Sequence, residues 1–412
     1  MPNPLAPSRS ASRWVNAILV VFTLFGFGFG SWLARLPSVR DHLGASTFEM
    51  SLIGLTLATG SLIGLAFAGR SVSLLGPRRA LLVTVIGQAV CMPAAAVLLW
   101  FGLVAPGVIG LALYGFMFST GDVAMNVSGA NAERAVRRPR MPLLHAGFSL
   151  GSVTSMGVGA LAEAARIPIP IHIAAVFAAV VAGTLLALRR IPRGESAEPE
   201  PGIGANTNTG PVQLVGAAPA GSPSRYNPWR DPRIIVIGFI AMSMSLGEGT
   251  ASDWLPLALA DGRGFSNASA TLALGAFFVS MMLTRVAGSW LLLRFGRVRV
   301  LRGGAVLMIC GVAIVNLVPF AWAAVLGSVL WGMGCALGFP IGISAAADDP
   351  KTAVRGVAAV SAISYGAFLL GPMGIGFLGE HFGLLRAFLL LIGFALFVIV
   401  FAGWARERGP AR

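Results

Sequence analysis

Long apolar runs recur along the chain, separated by short polar segments. Twelve of them lie near 14–33, 50–69, 80–100, 108–129, 143–162, 170–188, 234–257, 268–291, 301–319, 321–345, 356–378 and 384–404. Each approaches the roughly 20 mainly apolar residues that an α-helix needs to cross a bilayer. A backbone in lipid has to satisfy its own hydrogen bonds, so these runs predict twelve transmembrane helices, numbered here as spans 1 to 12. The long polar stretch from about Arg189 to Asp231 is rich in Gly, Pro, Ser and Asn and reads as a flexible cytoplasmic linker. The expected organisation is a cytoplasmic tail at 1–13, a six-helix bundle at 14–188, the linker at 189–232, a second bundle at 233–404 and a cytoplasmic tail at 405–412. Residues 1–13 are too short and too polar for a cleaved signal, and span 1 is long enough to remain as an anchor.

The halves resemble each other when slid by roughly 220 residues. Ser31-Trp32-Leu33 aligns with Asp253-Trp254-Leu255, Tyr114-Gly115 and Gly121 with Trp331-Gly332 and Gly338, and Phe148, Leu150 and Gly151 with Phe368, Leu370 and Gly371. Three matches in the same order, with the linker between, indicate a duplicated six-helix unit. That arrangement is found in secondary transporters that hold substrate near the membrane midplane.

Charge fixes the orientation. With the N-terminus placed in the cytoplasm, 24 of the 30 basic residues fall in inside segments. Only Arg35, Arg40, Arg166, Arg263 and Arg386 fall outside, and Arg285 lies within span 8. Basic residues of short loops resist translocation, so both termini are expected in the cytoplasm. The net charge of +14 therefore reports topology and attraction to anionic lipid rather than nucleic-acid binding. A composition of 56% hydrophobic and 11% charged residues agrees with a membrane protein. Cys91, Cys310 and Cys335 all lie in apolar spans, at spacings that suggest neither a disulfide framework nor a metal site.

Ionisable groups inside a span cost at least about 2.5–3.5 kcal/mol at its centre, so each calls for a function or a partner. Asp122 in span 4, with Asn126 one turn later on the same face, reads as a proton-carrying or substrate-binding carboxylate, or else as a satisfied interhelical contact. Glu248 stands between Gly247 and Gly249, a combination expected to let span 7 break, and is the second candidate for a coupling proton. Asp253, near the outer interface, reads as a polar anchor at a helix end or a further binding group. Arg285 either clamps an anion, salt-bridges a carboxylate, or snorkels to the cytoplasmic surface. His145, at the start of span 5, reads as a gating or structural residue or a proton relay.

The duplicated architecture resembles the major facilitator superfamily, whose cytoplasmic signature between spans 2 and 3 corresponds to Gly69-Arg70-Ser71-Val72-Ser73-Leu74-Leu75-Gly76-Pro77-Arg78-Arg79. Ser73 occupies the family's acidic position, and Leu293 does so in the second copy, so the family's gating ion pair is weakened or made elsewhere. The resemblance implies gating roles for Gly69, Ser73, Gly76, Arg78 and Arg79. It also implies a cavity lined by spans 1, 4, 7 and 10, with Asn16, Trp32, Tyr114 and Trp331 as lining candidates, although a Trp near a span end also serves as an interface anchor. More narrowly, Gly247-Glu248-Gly249-Thr250-Ala251-Ser252-Asp253-Trp254-Leu255-Pro256, Met141-Pro142-x-x-His145 and Gly338-Phe339-Pro340-x-x-Ile343-Ser344 are similar to the YbjJ-type group of bacterial inner-membrane facilitators. The drug-exporting branch carries a Gly-Pro pair in span 5 that is missing from Gly151 to Gly159. The fucose-permease branch uses carboxylates in spans 1 and 4, of which only the second carries over, onto Asp122.

The expected fold is therefore an all-α membrane protein of twelve helices in two pseudo-symmetric six-helix bundles. The expected function is proton-coupled symport of a small neutral or anionic metabolite by alternating access, with a proton-coupled drug exporter as the alternative. The resemblance implies a monomer, and the expected partners are a small solute, protons and membrane lipid, without cofactor or metal. A non-transporting receptor or assembly protein would carry a larger soluble domain. An intramembrane enzyme would carry a nucleophile elbow, a His-Glu-x-x-His helix or paired Asp residues, and an ATPase would carry a Walker loop; the sequence has none of these.

Overall fold

The computed structural model of the chain describes residues 9–136, 140–192, 227–349 and 352–407. Residues 193–226, which hold the centre of the expected linker, lie outside the described residues, as do the far ends of both expected tails. The described helices are α1 (Arg9–Leu33), α2 (Leu36–Leu43), α3 (Thr47–Leu75), α4 (Pro77–Trp100), α5 (Val104–Val136), α6 (Met141–Ala164), α7 (Ile169–Leu188), α8 (Pro232–Arg263), α9 (Asn267–Leu317), α10 (Ala321–Cys335), α11 (Gly338–Ala346), α12 (Ala353–Phe382), α13 (Leu384–Ala387) and α14 (Leu390–Phe401). All twelve apolar runs are helical, and the described residues include no β-strand.

Three departures from one helix per run are informative. Spans 8 and 9 follow each other without a loop as α9, turned at Gly296 with φ 74° and ψ 162°. Span 10 is split into α10 and α11, and the turn after span 1 folds into the short α2. Ten helical segments among the described residues are long and apolar enough to cross a membrane. Among them α9 counts once although it holds two spans, while the Gly- and Ser-rich α6 falls outside. α1 also begins at Arg9, so the described part of the expected N-terminal tail is the first turn of a helix.

The chain divides into two compact units, one taking in Met1–Gly44 and Thr56–Asn206 and the other Ala45–Leu55 and Thr207–Arg412, as far as the described residues go. Local devices recur between the two halves of the sequence at an offset of 220 residues. Gly44 and Gly264 both end a helix in the left-handed region, at φ 61° and 69°. Ser46 Oγ accepts the Glu49 N–H and Ser266 Oγ accepts the Ser269 N–H, both at 3.2 Å, each capping the next helix. The Ser46 N–H in return donates to Glu49 Oε2 at 2.8 Å, completing a capping box. Gly76 and Gly296 share φ 74°, a value open to glycine at little cost, and so set the same sharp turn between spans 2 and 3 and between spans 8 and 9.

Inside each unit the helices pack backbone to backbone. Lipid tails are as apolar as Leu, so helices gain by close approach through small residues. On the α1/α6 seam, a Cβ at Gly26 would strike the Phe148 carbonyl, and one at Gly151 the Thr23 carbonyl. The α9/α10 seam repeats the device: a Cβ at Gly311 would stand 2.5 Å from the Gly327 carbonyl oxygen. Aromatic rings fill the remaining interior: Phe22, Phe25, Tyr114 and Phe177 in the first unit, and Trp254, Phe277, Trp331 and Phe388 in the second.

A side chain at Gly151 would force α1 and α6 apart, whereas Gly157 on the same helix faces open space. Gly151→Val is therefore expected to lower stability by about 1–3 kcal/mol or more, as overpacking does. Gly157→Ala is expected to leave the apparent unfolding temperature of the detergent-purified protein unchanged.

Candidate functional site

The second unit builds its site from a backbone defect. An α-helical carbonyl is normally satisfied by the N–H four residues on. Four residues after Ala336 stands Pro340, which has no N–H. The helix is interrupted at Ala336 and Leu337, the latter with φ −111° and ψ −4°, and α11 resumes with Ile341 N–H donating to the Leu337 carbonyl at 3.0 Å. Prolines 93, 256 and 372 stand inside α4, α8 and α12 without interrupting them. At span 10 the orphaned Ala336 carbonyl takes a side-chain donor instead: Arg285 Nε of α9, at 3.1 Å.

The same guanidinium also reaches α8, where Arg285 Nη2 donates to Glu248 Oε2 at 2.9 Å. The side chains keep 12% and 27% of their exposure, so this pair is shielded but Glu248 remains reachable. Of the readings open to Arg285, salt-bridging a carboxylate matches the geometry, and snorkelling does not, because its head is held inside the unit. The break expected at Gly247 and Gly249 is corrected: α8 is continuous from Pro232 to Arg263. Gly247 instead gives room to Met308 Cε and Cys335 Sγ, 2.6 and 2.8 Å from where its Cβ would stand.

Asp253 is corrected as an end-of-helix anchor. It lies well inside α8, half-buried, without a hydrogen bond or ion pair among the described residues, while its neighbour Trp254 is fully packed.

In the first unit α5 is unbroken, with Val123 where the duplicated register has Pro340. Asp122 is buried on it, and Asn126 Nδ2 bonds both the Asp122 carbonyl at 2.9 Å and its Oδ1 at 3.3 Å. Among the described residues no basic side chain pairs with Asp122. The structure thus brings Asp122 together with Asn126, and Glu248 with Arg285, as two separate constellations.

Other expectations resolve differently. Tyr114 and Trp331 are corrected as cavity-lining residues: both are fully buried, Tyr114 edge-on to Phe177 at 5.7 Å and Trp331 edge-on to Phe388 at 5.2 Å. Trp32 is also buried, which corrects both its readings, as a cavity-lining residue and as an interface anchor, while Asn16 is exposed. In the signature segment Gly69, Ser73 and Arg79 are exposed, and the Ser73 hydroxyl bonds the Arg70 carbonyl at 2.9 Å. Gly76 makes the turn into α4, and Arg78 Nε donates to the Leu188 carbonyl at 3.1 Å. His145 stands in the first turn of α6 with its ring edge-on to Phe22 at 5.2 Å.

Sequence reasoning missed Asp348, which receives Arg233 at 2.9 Å and Arg297 at 2.7 Å at the end of α11. It also missed the Arg35–Glu163 pair at 3.3 Å, in which Ser38 donates to the same carboxylate. Neither is spaced helically, so only the fold brings the partners together. The Pro340 break was legible in principle, since a proline deep in an apolar run marks a missing donor. No cluster of His, Cys, Asp and Glu able to hold a metal occurs among the described residues.

The family model of the Major Facilitator Superfamily matches residues 18–359 and, in a second alignment, 237–412. The chain belongs to the major facilitator superfamily. It is similar to the uncharacterized transporter y4wD of Sinorhizobium fredii, 30% identical over 96% of this chain and 98% of that one. It is also similar to an uncharacterized MFS-type transporter of Yersinia pestis, 28% identical over 90% of each chain. Among solved structures, the nucleoside transporter NupG superposes with a TM-score of 0.76 at 14% identity, covering 95% of this chain and 99% of that one. FucP in its outward conformation superposes with a TM-score of 0.61 at 14% identity, over 97% and 100%. This facilitator is a multi-pass membrane transporter and not an enzyme.

Removing the guanidinium strands both the Ala336 carbonyl and Glu248. Arg285→Leu is expected to destabilise the facilitator by about 1–3 kcal/mol, the cost of an unsatisfied buried polar group. Pro340→Ala supplies an N–H for Ala336, so the loss caused by Arg285→Leu is expected to be smaller in that background. A double-mutant cycle read by thermal unfolding measures the difference.

Proposed function

We propose that this facilitator moves a small neutral or anionic organic metabolite by alternating access, in symport with protons, across a bacterial cytoplasmic membrane with both termini inside. The observation that carries the reading is the Glu248–Arg285 pair, a partly exposed carboxylate beside the guanidinium that also holds the Ala336 carbonyl. An anionic group of the solute competes with Glu248 for Arg285 Nη2, while Nε keeps its backbone partner. A carboxylate that loses its counter-charge in apolar surroundings neutralises by taking up a proton. Solute and proton thereby enter on the same event. Asp122, buried with Asn126 and without a basic partner among the described residues, provides a second protonatable group. NupG, named as a nucleoside transporter, and FucP, named as a fucose:proton symporter, share the fold and lend support to a small polar cargo.

Uptake into proteoliposomes tests this reading, with solutes first chosen by the thermal stabilisation they confer on the purified protein. An outside-acid gradient is expected to drive accumulation by the wild type, and Glu248→Gln and Asp122→Asn are expected to abolish that dependence. Gradient-dependent uptake that persists unchanged in both variants contradicts coupling through these carboxylates. Stabilisation by amphipathic drugs alone points to an exporter instead.

A further inference from the structure

The turn of α9 at Gly296 opens an apolar crevice of about 230 Å³ within the second unit. Leu291 and Phe295 from the arm before the turn, Gly303 and Leu307 from the arm after it, and Met333 of α10 form its walls. That volume is below the roughly 300–1,000 Å³ of pockets that enclose a drug-sized ligand. It suits part of a ligand whose remainder lies outside. Phe295 and Met333 are themselves exposed, so the crevice opens at the surface.

The surface onto which it opens is apolar and then abruptly basic. Leu283, Val286, Trp290 and Leu293 are exposed at helical spacing along the first arm of α9, with Leu293 at 90%. Such a stripe faces lipid. It ends at Arg294, and Arg297, Arg299 and Arg302 follow around the turn, where basic side chains sit at headgroup level. Arg297 is held by Asp348 and Arg302 by the Ile399 carbonyl at 3.0 Å. Arg299 is exposed, lines the crevice, and has no hydrogen-bond or ion-pair partner among the described residues.

We propose that this crevice binds an anionic phospholipid, with one acyl chain in the apolar groove and the headgroup phosphate on Arg299. The walls exclude a hydrated ion, and the uncommitted guanidinium at the rim selects a negative headgroup over a zwitterionic one. The bound chain lies against Leu337 and Gly338, which line the crevice and flank the junction held by Arg285, so the lipid touches the break in span 10.

Native mass spectrometry of the full chain, released from nanodiscs of equal phosphatidylglycerol and phosphatidylcholine, tests the site. The wild type is expected to retain phosphatidylglycerol preferentially. Arg299→Gln is expected to weaken that retention about fivefold, the effect of one basic residue at an anionic surface. Gly303 has no atom within 4 Å of a would-be Cβ, so Gly303→Leu fills the crevice without a clash and is expected to abolish retention of either lipid. Arg190→Gln, which removes an exposed arginine of the first unit, is expected to leave retention intact. Equal retention of the two lipids, retention unaltered by Arg299→Gln or Gly303→Leu, or displacement of phosphatidylglycerol by inorganic phosphate would each overturn the proposal.

Discussion

One missing N–H organises the second half of this transporter. Pro340 leaves the Ala336 carbonyl without its helical donor, and inside lipid there is no water to replace it. An unsatisfied backbone group in such surroundings costs several kcal/mol. Arg285 meets that demand and in doing so is itself drawn out of solvent, which creates a second demand, for a counter-charge. Glu248 supplies it. The three groups come from α8, α9 and the α10/α11 junction, so a change in the charge of one carboxylate is felt at a helix break on another element. Backbone geometry and solute chemistry are thereby linked through a single planar cation, whose fork of donors serves both partners at once.

The duplicated architecture makes this asymmetry visible. Helix ends, caps and the glycine turns recur at a constant offset, and glycine seams hold the helices of each unit at backbone distance. Against that shared frame the broken span, the Arg285 bridge and the crevice at the Gly296 turn belong to the second copy, while the first copy keeps α5 whole and buries Asp122 on it. The common scaffold fixes where helices begin and turn. The residues that differ between copies are the ones with chemistry to perform.

Much of the scaffold was legible because hydrophobic runs long enough for a bilayer leave few alternatives, and because Gly76 and Gly296 stand in the same register as well as in the same conformation. Glu248 and Arg285 were legible as individuals, being charges inside spans. Their pairing was not, since 37 positions separate them and helical periodicity reports only one helix at a time. The break was misplaced onto Gly247 and Gly249 because glycine there signals close packing, against Met308 and Cys335, as readily as flexibility. The position of their spans points to Tyr114 and Trp331 as cavity walls. Their faces turn inward onto Phe177 and Phe388, and a helix number does not state a rotation.

Arg285 ties the charge of Glu248 to the junction of span 10. Amide hydrogen exchange across residues 333–346, compared between the wild type, Glu248→Gln and Arg285→Leu in nanodiscs, tests it most directly, with the α7 segment Ile169–Leu188 as an internal reference. Both substitutions are expected to speed exchange at the junction while leaving α7 unchanged. Exchange at 333–346 that stays at the wild-type rate in both variants would contradict the claim and reduce the Arg285 bridge to a static contact.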